Sequence, residues 1–381
     1  MMRAQVEKSL NKDLSHSLEE IKRALKSEEF DIALLSVDPR FEVEKISRAF
    51  RDIFGSKRYV AFHANSSFVD EEVVEGGVSA LFLTFEKKKT KVKIFSKNGI
   101  DRYTKKDVED TANYLRKHRK DFHIIIASLA KENFAFFLED LSKRLDYRPV
   151  KNIIGGISSG IKIGEEVLTY QLVEDRVINN GFVILSFTNL KTAIEISLGF
   201  VPYGIRYKVT KAHRNKLYEV DGGSDFSSII KRITRGIDHF DIRYLWYTPI
   251  NILDEEDGYV ATMRTIEEVN DEYVKFYGPL KNGQYFKISF ATAEELIEAD
   301  KKAASRLKRK LLSIEVVFNF SCVARQYVLE DRQAEEAKWY RSILGAPLFG
   351  FFTFGEIGPD RMYKRLKLYN ETSLLLGMKE L

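Results

Sequence analysis

Polar side chains follow the ends of predicted strands in the last quarter of the chain. They are Cys322, Arg325, Thr353, Glu356, Asn370 and Thr372. Adjacent strands that end together form a cleft rim, where α/β proteins commonly bind ligands. Arg325 could hold a carboxylate through two hydrogen bonds, and Glu356 could accept a hydrogen bond from an ammonium group. The pattern therefore predicts a small zwitterion such as an amino acid, with an internal Arg325–Glu356 bridge as the structural alternative.

Glycines in two of the predicted strands would let a ligand or a neighbouring strand approach the backbone closely. We expect Gly350 and Gly355 to give a ligand access to the backbone. An earlier glycine-rich strand offers a contribution from the N-terminal half through Gly156, Ser158 and Ser159. Neither segment is a P-loop or a dinucleotide fingerprint, because the Lys-Ser/Thr pair is missing and no helix follows directly. Tight strand packing is the alternative role for these glycines.

Cysteine and histidine offer further chemistry. Cys322, the single cysteine, would be a nucleophile if Arg325 lowered its pKa. A lone cysteine at the end of a buried strand is more often a small core residue, so we expect a wall of the site and no catalysis. The six histidines lack metal-ligand spacing, so no metal site is predicted. His63 and His123 lie in or beside strands and are candidate axial haem ligands, with a structural role as the alternative.

The elements that would position these groups recur three times in one order. Each copy reads as a strand, a helix, a glycine-rich strand and a further strand, and the copies begin near residues 30, 122 and 314. Right-handed crossovers predict a parallel strand pair in each copy. Thr292 and Glu295 form a capping box for a helix before the third copy. The predicted class is α/β, mixed with α+β, as two halves of mixed β-sheet with helices on the outer faces.

Composition narrows the function further. The 381 residues suffice for two or three domains, and the net charge of +5 is small beside 61 basic and 56 acidic side chains. We therefore expect no nucleic-acid partner, and the charge-rich surface fits a thermophilic source. One cysteine excludes a disulfide-stapled fold. Without a signal peptide or an apolar run of ~20 residues, the chain is expected to be cytoplasmic and off the membrane.

Three motifs of the third copy match a known family in order and spacing. They are Phe318-Asn-Phe-Ser-Cys-Val-Ala-Arg325, Gly350-Phe-Phe-Thr-Phe-Gly-Glu-Ile-Gly-Pro359 and Tyr369-Asn-Glu-Thr372. With them the chain resembles the FIST sensory module, the paired N- and C-terminal ligand-sensing domains of bacterial and archaeal signalling proteins. The turn Gly199-Phe-Val-Pro-Tyr-Gly204 extends the resemblance into the N-terminal half.

The spacing of Leu18, Ile21 and Leu25 predicts a helical extension at 1–29. The resemblance implies a FIST N-like domain at 30–230 and a FIST C-like domain at 231–381. It implies ligand sensing without catalysis, with amino acids or other small molecules as ligands, and haem with nitric oxide in one branch. Because the two domains fill the chain, we expect a separate signalling partner. The alternatives are a haem-based gas sensor, an enzyme with Cys322 as nucleophile, and an interaction scaffold without a ligand.

Overall fold

The computed structural model describes residues 1–163, 166–235, 241–254 and 260–381. Its helices are α1 (Leu14–Ala24), α2 (Val43–Phe54), α3 (Lys105–Lys117), α4 (Asn133–Arg144), α5 (Tyr147–Val150), α6 (Phe226–Ile233), α7 (Ala293–Lys310), α8 (Val323–Leu329) and α9 (Gln333–Leu344). Short 3-10 helices lie at Ile100–Arg102, Ile242–Tyr247 and Glu330–Arg332.

The strands are, in chain order, β1 (Arg3–Ser9), β2 (Ile32–Val37), β3 (Tyr59–His63), β4 (Ser66–Val69), β5 (Glu72–Glu75), β6 (Val78–Thr84), β7 (Val92–Lys97), β8 (Phe122–Ala127), β9 (Ile153–Ser158), β10 (Ile161–Ile163), β11 (Glu166–Leu168), β12 (Tyr170–Val173), β13 (Arg176–Asn179), β14 (Phe182–Phe187), β15 (Leu190–Ser197), β16 (Val201–His213), β17 (Lys216–Val220), β18 (Ser224–Asp225), β19 (Ile250–Leu253), β20 (Val260–Arg264), β21 (Ile266–Val269), β22 (Val274–Phe276), β23 (Tyr285–Phe290), β24 (Val316–Cys322), β25 (Leu348–Pro359), β26 (Leu366–Tyr369) and β27 (Ser373–Glu380).

The threefold repeat predicted from the sequence is confirmed. The pairs β2–β3, β8–β9 and β24–β25 are each parallel, and a helical connection joins the two strands of each pair. The capping box that begins α7 is also present, since the Thr292 hydroxyl and the Glu295 carboxylate each bond the other's backbone N–H. Parallel strands end at the same sheet edge, so each copy brings the residues after its two strands together.

Three sheets contain most of the strands. The first sheet has the order β1-β6-β2-β3-β12-β13. The central sheet has the order β15-β27-β24-β25-β9-β8-β14-β7, with β4 and β26 also paired to β25. The inserted sheet, built from the hairpins between copies two and three, has the order β20-β19-β23-β16-β17-β22-β21.

The first and central sheets pack face to face around the largest apolar core. Phe62 of the first sheet and Phe351 of the central sheet meet there, with ring centroids 4.5 Å apart. Helices α1 and α2 cover the outer face of the first sheet, and α3, α4, α7 and α9 cover that of the central sheet. The mixed α/β class with helices on the outer faces is therefore confirmed. None of the helices formed by the described residues is long and apolar enough to cross a membrane.

Strands from both halves of the sequence interleave in the central sheet. Strand β15 pairs antiparallel with β27, and the glycine-rich strands β9 and β25 pair antiparallel with each other. The N-terminal segment also contributes β1, which pairs with β6 of the first sheet and which the sequence reading had missed. Its charged residues concealed it, because edge strands commonly carry charge on their solvent side.

Helix α8 is the second element that the sequence reading missed. We had expected the polar residues after β24 to continue as a strand end, but the chain turns into α8 directly after Cys322. Arg325 therefore lies in the first turn of a helix, and its side chain faces α7 and α9. This change of element decides what Arg325 contacts.

Two glycines have the same role in copies two and three. A methyl group on Gly155 would lie 1.9 Å from the backbone oxygen of Ile125, and one on Gly350 would lie 1.9 Å from that of Asn319. In each copy the glycine allows the second strand of the parallel pair to approach the first. The expected ligand access at Gly350 is therefore wrong, and the packing role applies.

Replacing Gly350 by alanine should destabilise the fold, because the new methyl group would meet rigid backbone. We expect Gly350→Ala to lower the free energy of unfolding by ~1–3 kcal/mol, the usual cost of overpacking. Urea unfolding measures the change. The control is Gly377→Ala on β27, where the nearest atom is the flexible Ile314 side chain at 3.2 Å. Equal losses in the two variants would contradict the close-approach explanation.

Candidate functional site

Arg325 lies at the centre of a buried polar network between α7, α8 and α9. Its Nη2 donates to both carboxylate oxygens of Asp300, at 2.8 and 2.7 Å, and to Glu336 Oε2 at 3.3 Å. All three side chains are fully buried. Tyr340 completes the coordination of Asp300, with a hydroxyl-to-oxygen distance of 2.7 Å. We call Asp300, Arg325, Glu336 and Tyr340 the arginine network.

Strand β24 anchors the second acid of this network. Asn319 Nδ2 donates to Glu336 Oε1 at 2.8 Å, and Ser321 Oγ donates to Glu336 Oε2 at 3.1 Å. Asn319 and Ser321 are two residues apart in β24, so their side chains face the same side of the central sheet. The Phe-Asn-Phe-Ser-Cys segment thus places apolar rings in the core between the sheets and polar groups against the helices.

The arginine network contains two acidic side chains but only one basic side chain, so one guanidinium bonds two carboxyl groups. Burial alone would lower the pKa of Arg325, but the charges of Asp300 and Glu336 outweigh that effect and raise it. Burial raises the pKa of Asp300 to about 7, although Arg325 opposes the shift. Removing Arg325 would leave buried acids without a counter-charge, a change that typically costs ~3–5 kcal/mol.

A second buried cluster encloses two glutamates where β25 pairs with the end of β26. Glu356 accepts hydrogen bonds from the hydroxyls of Thr353 and Thr372, at 2.6 and 2.7 Å. Glu371 accepts one from Thr265 of the inserted sheet at 2.7 Å. Both glutamates are fully buried. We call Glu356 and Glu371 the acid pair.

The backbone at Glu371 is unusual. Its φ of 58° lies in the left-handed region, which glutamate rarely adopts. The turn from β26 to β27 contains this residue, and the left-handed conformation goes together with a carboxyl group that points into the protein. Strained backbone of this kind is frequent at functional sites.

Burial keeps the acid pair protonated at neutral pH. It is the main cause that raises the pKa of Glu356 to about 8, and hydrogen bonds from Thr353 and Thr372 only partly oppose it. Burial likewise raises the pKa of Glu371 to about 8, and the charge of Glu356 adds to this shift. The charge of Arg325 lowers both values, so the arginine network and the acid pair lie close enough to interact.

Several buried polar atoms around these groups have no hydrogen-bond partner among the described residues. They are Arg325 Nε and Nη1, Glu371 Oε2, Asn370 Oδ1 and Gln171 Oε1. Native proteins pair nearly all such atoms, so unpaired ones need an explanation. Gln171 belongs to this region because its Nε2 donates to Ser158 Oγ at 3.2 Å, and Ser158 lies opposite Thr353 in the sheet.

The predicted contribution of the N-terminal half is close to these groups. Gly156 lies opposite Glu356 in the β9–β25 pairing, and a methyl group on Gly156 would lie 2.4 Å from Thr353 Cγ2. Ser159 Oγ accepts a hydrogen bond from the backbone N–H of Asn65 at 2.9 Å. Residues from all three copies therefore meet at the end of β9.

The structure corrects the geometry that the sequence suggested for Arg325 and Glu356. We expected the two side chains to face each other across an open rim, but both are fully buried and they share no hydrogen bond. Helix α8 turns Arg325 towards α7 and α9, whereas β25 holds Glu356 beside Thr353. Gly355 does not open the backbone to solvent either, since a methyl group there would lie 2.9 Å from Leu368 Cδ1.

Sequence reasoning missed Asp300, Glu336, Tyr340, Gln171 and Glu371. The first three lie in helices α7 and α9, for which the sequence suggested no polar role, and Gln171 lies in the short strand β12, far from the others in sequence. Glu371 belongs to the Asn-Glu-Thr motif, of which the sequence analysis selected only Asn370 and Thr372. A signal for Asp300 was present, because it occupies the buried face of α7 together with Leu296 and Ala303.

The microenvironment of Cys322 is the reverse of the one a nucleophile needs. The side chain is 3% exposed, and burial raises the pKa of its thiol well above the ordinary value, with Glu356 and Glu371 adding to the shift. The condition for the nucleophile alternative, a thiol pKa lowered by Arg325, is therefore not met. Cys322 lies at the end of β24 as a small wall residue.

The two histidines proposed for haem differ. His123 is fully buried, and both its ring nitrogens are hydrogen bonded, Nδ1 with Ser186 Oγ at 2.8 Å and Nε2 with the carbonyl oxygen of His118 at 3.2 Å. It does not fit an axial ligand. Burial lowers the pKa of His63 to about 4, and neither of its ring nitrogens has a hydrogen-bond partner among the described residues. The haem hypothesis therefore depends on His63.

Metal binding finds no support in the part of the chain that the structure describes, where no three His, Cys, Asp or Glu side chains are grouped to hold an ion. His239 lies outside the described residues.

Comparison with known proteins gives two domain matches and one related protein. Residues 31–223 match the FIST N domain, and residues 237–359 match the FIST C domain. An uncharacterized protein of Aquifex aeolicus (strain VF5) is 32% identical over 253 residues, which cover 64% of this chain and 93% of that protein. Arg325, Thr353 and Glu356 lie within the FIST C match, whereas Glu371 lies beyond it.

Stability should decrease as the pH rises, because the raised pKa values of the acid pair favour the protonated, folded form. Each glutamate has an ordinary pKa of 4.5 and a value of about 8 in the fold. The stabilisation is complete below about pH 4.5 and is lost as the pH rises through about 8. Thermal unfolding between pH 5 and pH 9 measures this decrease.

Glu371→Gln should flatten this pH dependence, since the amide resembles the protonated acid in size and charge. Glu315→Gln, at a partly exposed carboxylate that bonds backbone N–H groups, is the control and should leave the wild-type slope unchanged. If Glu371→Gln and wild type lost stability in parallel, the proposed protonation of Glu371 would be wrong.

Native Cys322 should resist thiol reagents at neutral pH, because its thiol is both buried and protonated. We expect an Ellman-type reagent to leave the folded protein unlabelled and to modify one thiol per chain after denaturation in urea. Rapid stoichiometric labelling of the folded protein would restore the nucleophile hypothesis.

Proposed function

The chain belongs to the FIST family, whose N and C domains together span most of its length. On that basis we propose that it is a sensory protein that binds an amino acid or a similar small metabolite. The observation that carries this proposal is the group of unpartnered polar atoms shared by the arginine network and the acid pair. A ligand with complementary donors and acceptors would satisfy them.

The chemistry of these atoms matches a zwitterion. Arg325 uses only Nη2 for Asp300 and Glu336, so Nε and Nη1 remain as two separate donors, each of which could bond a ligand oxygen. Glu371 Oε2 and Asn370 Oδ1 are acceptors without a donor, and an ammonium group supplies three. The sequence suggested Glu356 as the acid for the ammonium group, but its two oxygens already accept from Thr353 and Thr372. We therefore assign that role to Glu371.

Enclosure of the site suggests how binding would be sensed. Thr265 of the inserted-sheet region contacts the acid pair, because its hydroxyl donates a hydrogen bond to Glu371. A ligand that reaches Glu371 would replace or rearrange that bond, so the two states of the inserted sheet would differ in their affinity for the ligand. Such a difference is what couples a ligand to a conformational change. We propose that the inserted sheet passes the change to a separate signalling protein.

The other hypotheses predict different results. An enzyme that uses Cys322 requires a reactive thiol, and the raised pKa of this thiol argues against it. A haem sensor requires a Soret band that is lost on replacement of His63. An interaction scaffold predicts no saturable binding of small molecules.

Calorimetry against a panel of amino acids tests the proposal. We expect saturable binding of at least one zwitterion, whose ammonium group would favour the ionised form of Glu371 and so release its proton on binding. Because glutamine cannot ionise, Glu371→Gln should reduce the affinity about 10-fold or more, and Arg325→Lys should do the same through the loss of hydrogen bonds to the carboxylate. Lysine keeps the positive charge beside Asp300 and Glu336 but removes the two spare donors. The Arg325→Lys variant should therefore fold in the absence of ligand, because the buried acids keep a counter-charge.

Arg306→Lys is the matched control, because Arg306 forms a partly exposed pair with Glu195 at 2.8 Å outside the site. It should bind as wild type does. Unchanged affinity in both site variants, or an equal loss in Arg306→Lys, would remove the assignment of Arg325 and Glu371.

A further inference from the structure

A cleft of about 430 Å³ separates the inserted sheet from the central sheet, on the side of α4. Its lining includes five basic side chains and two acidic ones. The basic side chains are Lys143, Arg264, Lys281, Arg365 and Lys367, and the acidic ones are Glu139 and Asp254. The volume falls within the range of ~300–1,000 Å³ that is usual for small-molecule sites.

Arg264 forms the inner wall of this cleft and is a buried cation without an acidic hydrogen-bond partner. It is 5% exposed. Nε donates to the carbonyl oxygen of Pro279 at 3.2 Å, and Nη1 donates to the carbonyl oxygens of Met263 and Leu368 at 2.8 and 3.0 Å. None of the described residues accepts a hydrogen bond from Nη2. Burial lowers the pKa of Arg264 to about 10, so the group remains charged at neutral pH.

Lys367 is on β26, and its ammonium group adds to the positive charge of Arg264 on β20. It forms no ion pair or hydrogen bond through its ammonium group with the described residues. Burial lowers its pKa, and the charge of Arg264 lowers it further. Two cations that repel each other in a partly buried cleft are unfavourable unless an anion joins them.

Among the described residues, nearby acids offset this positive charge only in part, since Asp254 and Asp360 act on Lys367 and Glu139 acts on Arg264 from a distance, without a hydrogen bond to either cation. Glu139 is already paired with Lys281 and lies 3.7 Å from Lys143. Arg365 donates to the backbone oxygen of Ser142 at 3.2 Å, which is a neutral partner. The excess of positive charge therefore lies at Arg264, Lys367 and Arg365.

We propose that this cleft is a second binding site, specific for a small multivalent oxyanion held by Arg264 and Lys367. A phosphate group and a polycarboxylate both have the oxygen geometry that a guanidinium and an ammonium recognise together. The site is separate from the acid pair, whose groups are acidic and fully enclosed. It is also placed to affect that region, because Arg264 precedes Thr265, the residue that bonds Glu371.

An anion here would connect two sheets. Arg264 belongs to β20 of the inserted sheet, and Lys367 belongs to β26, which pairs with β25 of the central sheet. Neutralising both cations would remove their repulsion and hold the inserted sheet against the central one. The anion would thus stabilise the closed arrangement over the acid pair.

Thermal unfolding of the full chain in sodium phosphate, in sodium citrate and in sodium chloride of equal ionic strength tests the proposal. We expect phosphate or citrate to raise the melting temperature in a saturable way, because a ligand that binds only the folded state stabilises it by mass action. A response to phosphate alone assigns a phosphorylated ligand, and a response to citrate alone assigns a carboxylate ligand. The absence of any response beyond that to chloride overturns the proposal.

Lys367→Met locates the effect, since methionine keeps the apolar stem and removes the charge. We expect a roughly 10-fold weaker apparent affinity for the oxyanion. Lys364→Met, at an exposed lysine three residues away, is the control and should respond as wild type does. An equal loss in both variants would indicate general charge screening and overturn the site. Glu371→Gln should keep the full response, so failure of the amino-acid site would not be mistaken for failure of this one.

Discussion

One buried guanidinium among four buried carboxyl groups is the constraint on which the structure depends. Arg325 can neutralise only part of the charge of Asp300, Glu336, Glu356 and Glu371, and all of these side chains are removed from water. Desolvation makes an unpaired carboxylate costly, so protonation has to balance the remainder. The threonine hydroxyls around Glu356 and the asparagine and serine of β24 around Glu336 are the groups that make this arrangement tolerable. The buried region around Arg325 is therefore polar, and its net charge depends on bound protons or on a bound ligand.

The repeated strand–helix–strand unit explains how so many polar groups come to one place. Each unit ends its two parallel strands at the same edge, and the antiparallel pairing of β9 with β25 sets the edges of the second and third units side by side. The first unit adds Asn65, which bonds Ser159, and the inserted sheet adds Thr265. No single unit could enclose the cluster. The same contact between the inserted sheet and β26 brings Arg264 and Lys367 together, two of the five basic residues that line the cleft beside α4.

The sequence was sufficient for the repeat, the parallel pairs and the class, because buried strands and amphipathic helices leave periodic patterns of apolar residues. It also identified most residues around the acid pair, since Thr353, Glu356, Asn370 and Thr372 interrupt otherwise apolar runs. It failed at α8, where Val323 and Val328 resemble a strand, and so it placed Arg325 on the wrong element. It could not pair Arg325 with Asp300 and Glu336 either, because those contacts depend on how α7 and α9 pack. The sequence could not predict that the acid pair is buried either, because the inserted sheet that covers it is far from it in sequence.

The interleaving of the two halves in the central sheet has a consequence for how the chain reaches this fold. Strand β27 follows β15 and β24 in the sequence, yet it occupies the position between them in the sheet. Until it is added, β15 and β24 both present open hydrogen-bonding edges, and the nascent N-terminal domain remains incomplete. Pairings between strands so distant in sequence form slowly and leave such edges exposed to aggregation. The central sheet can therefore be completed only after β27 has been synthesised, and until then its open strand edges are available for pairing with other chains.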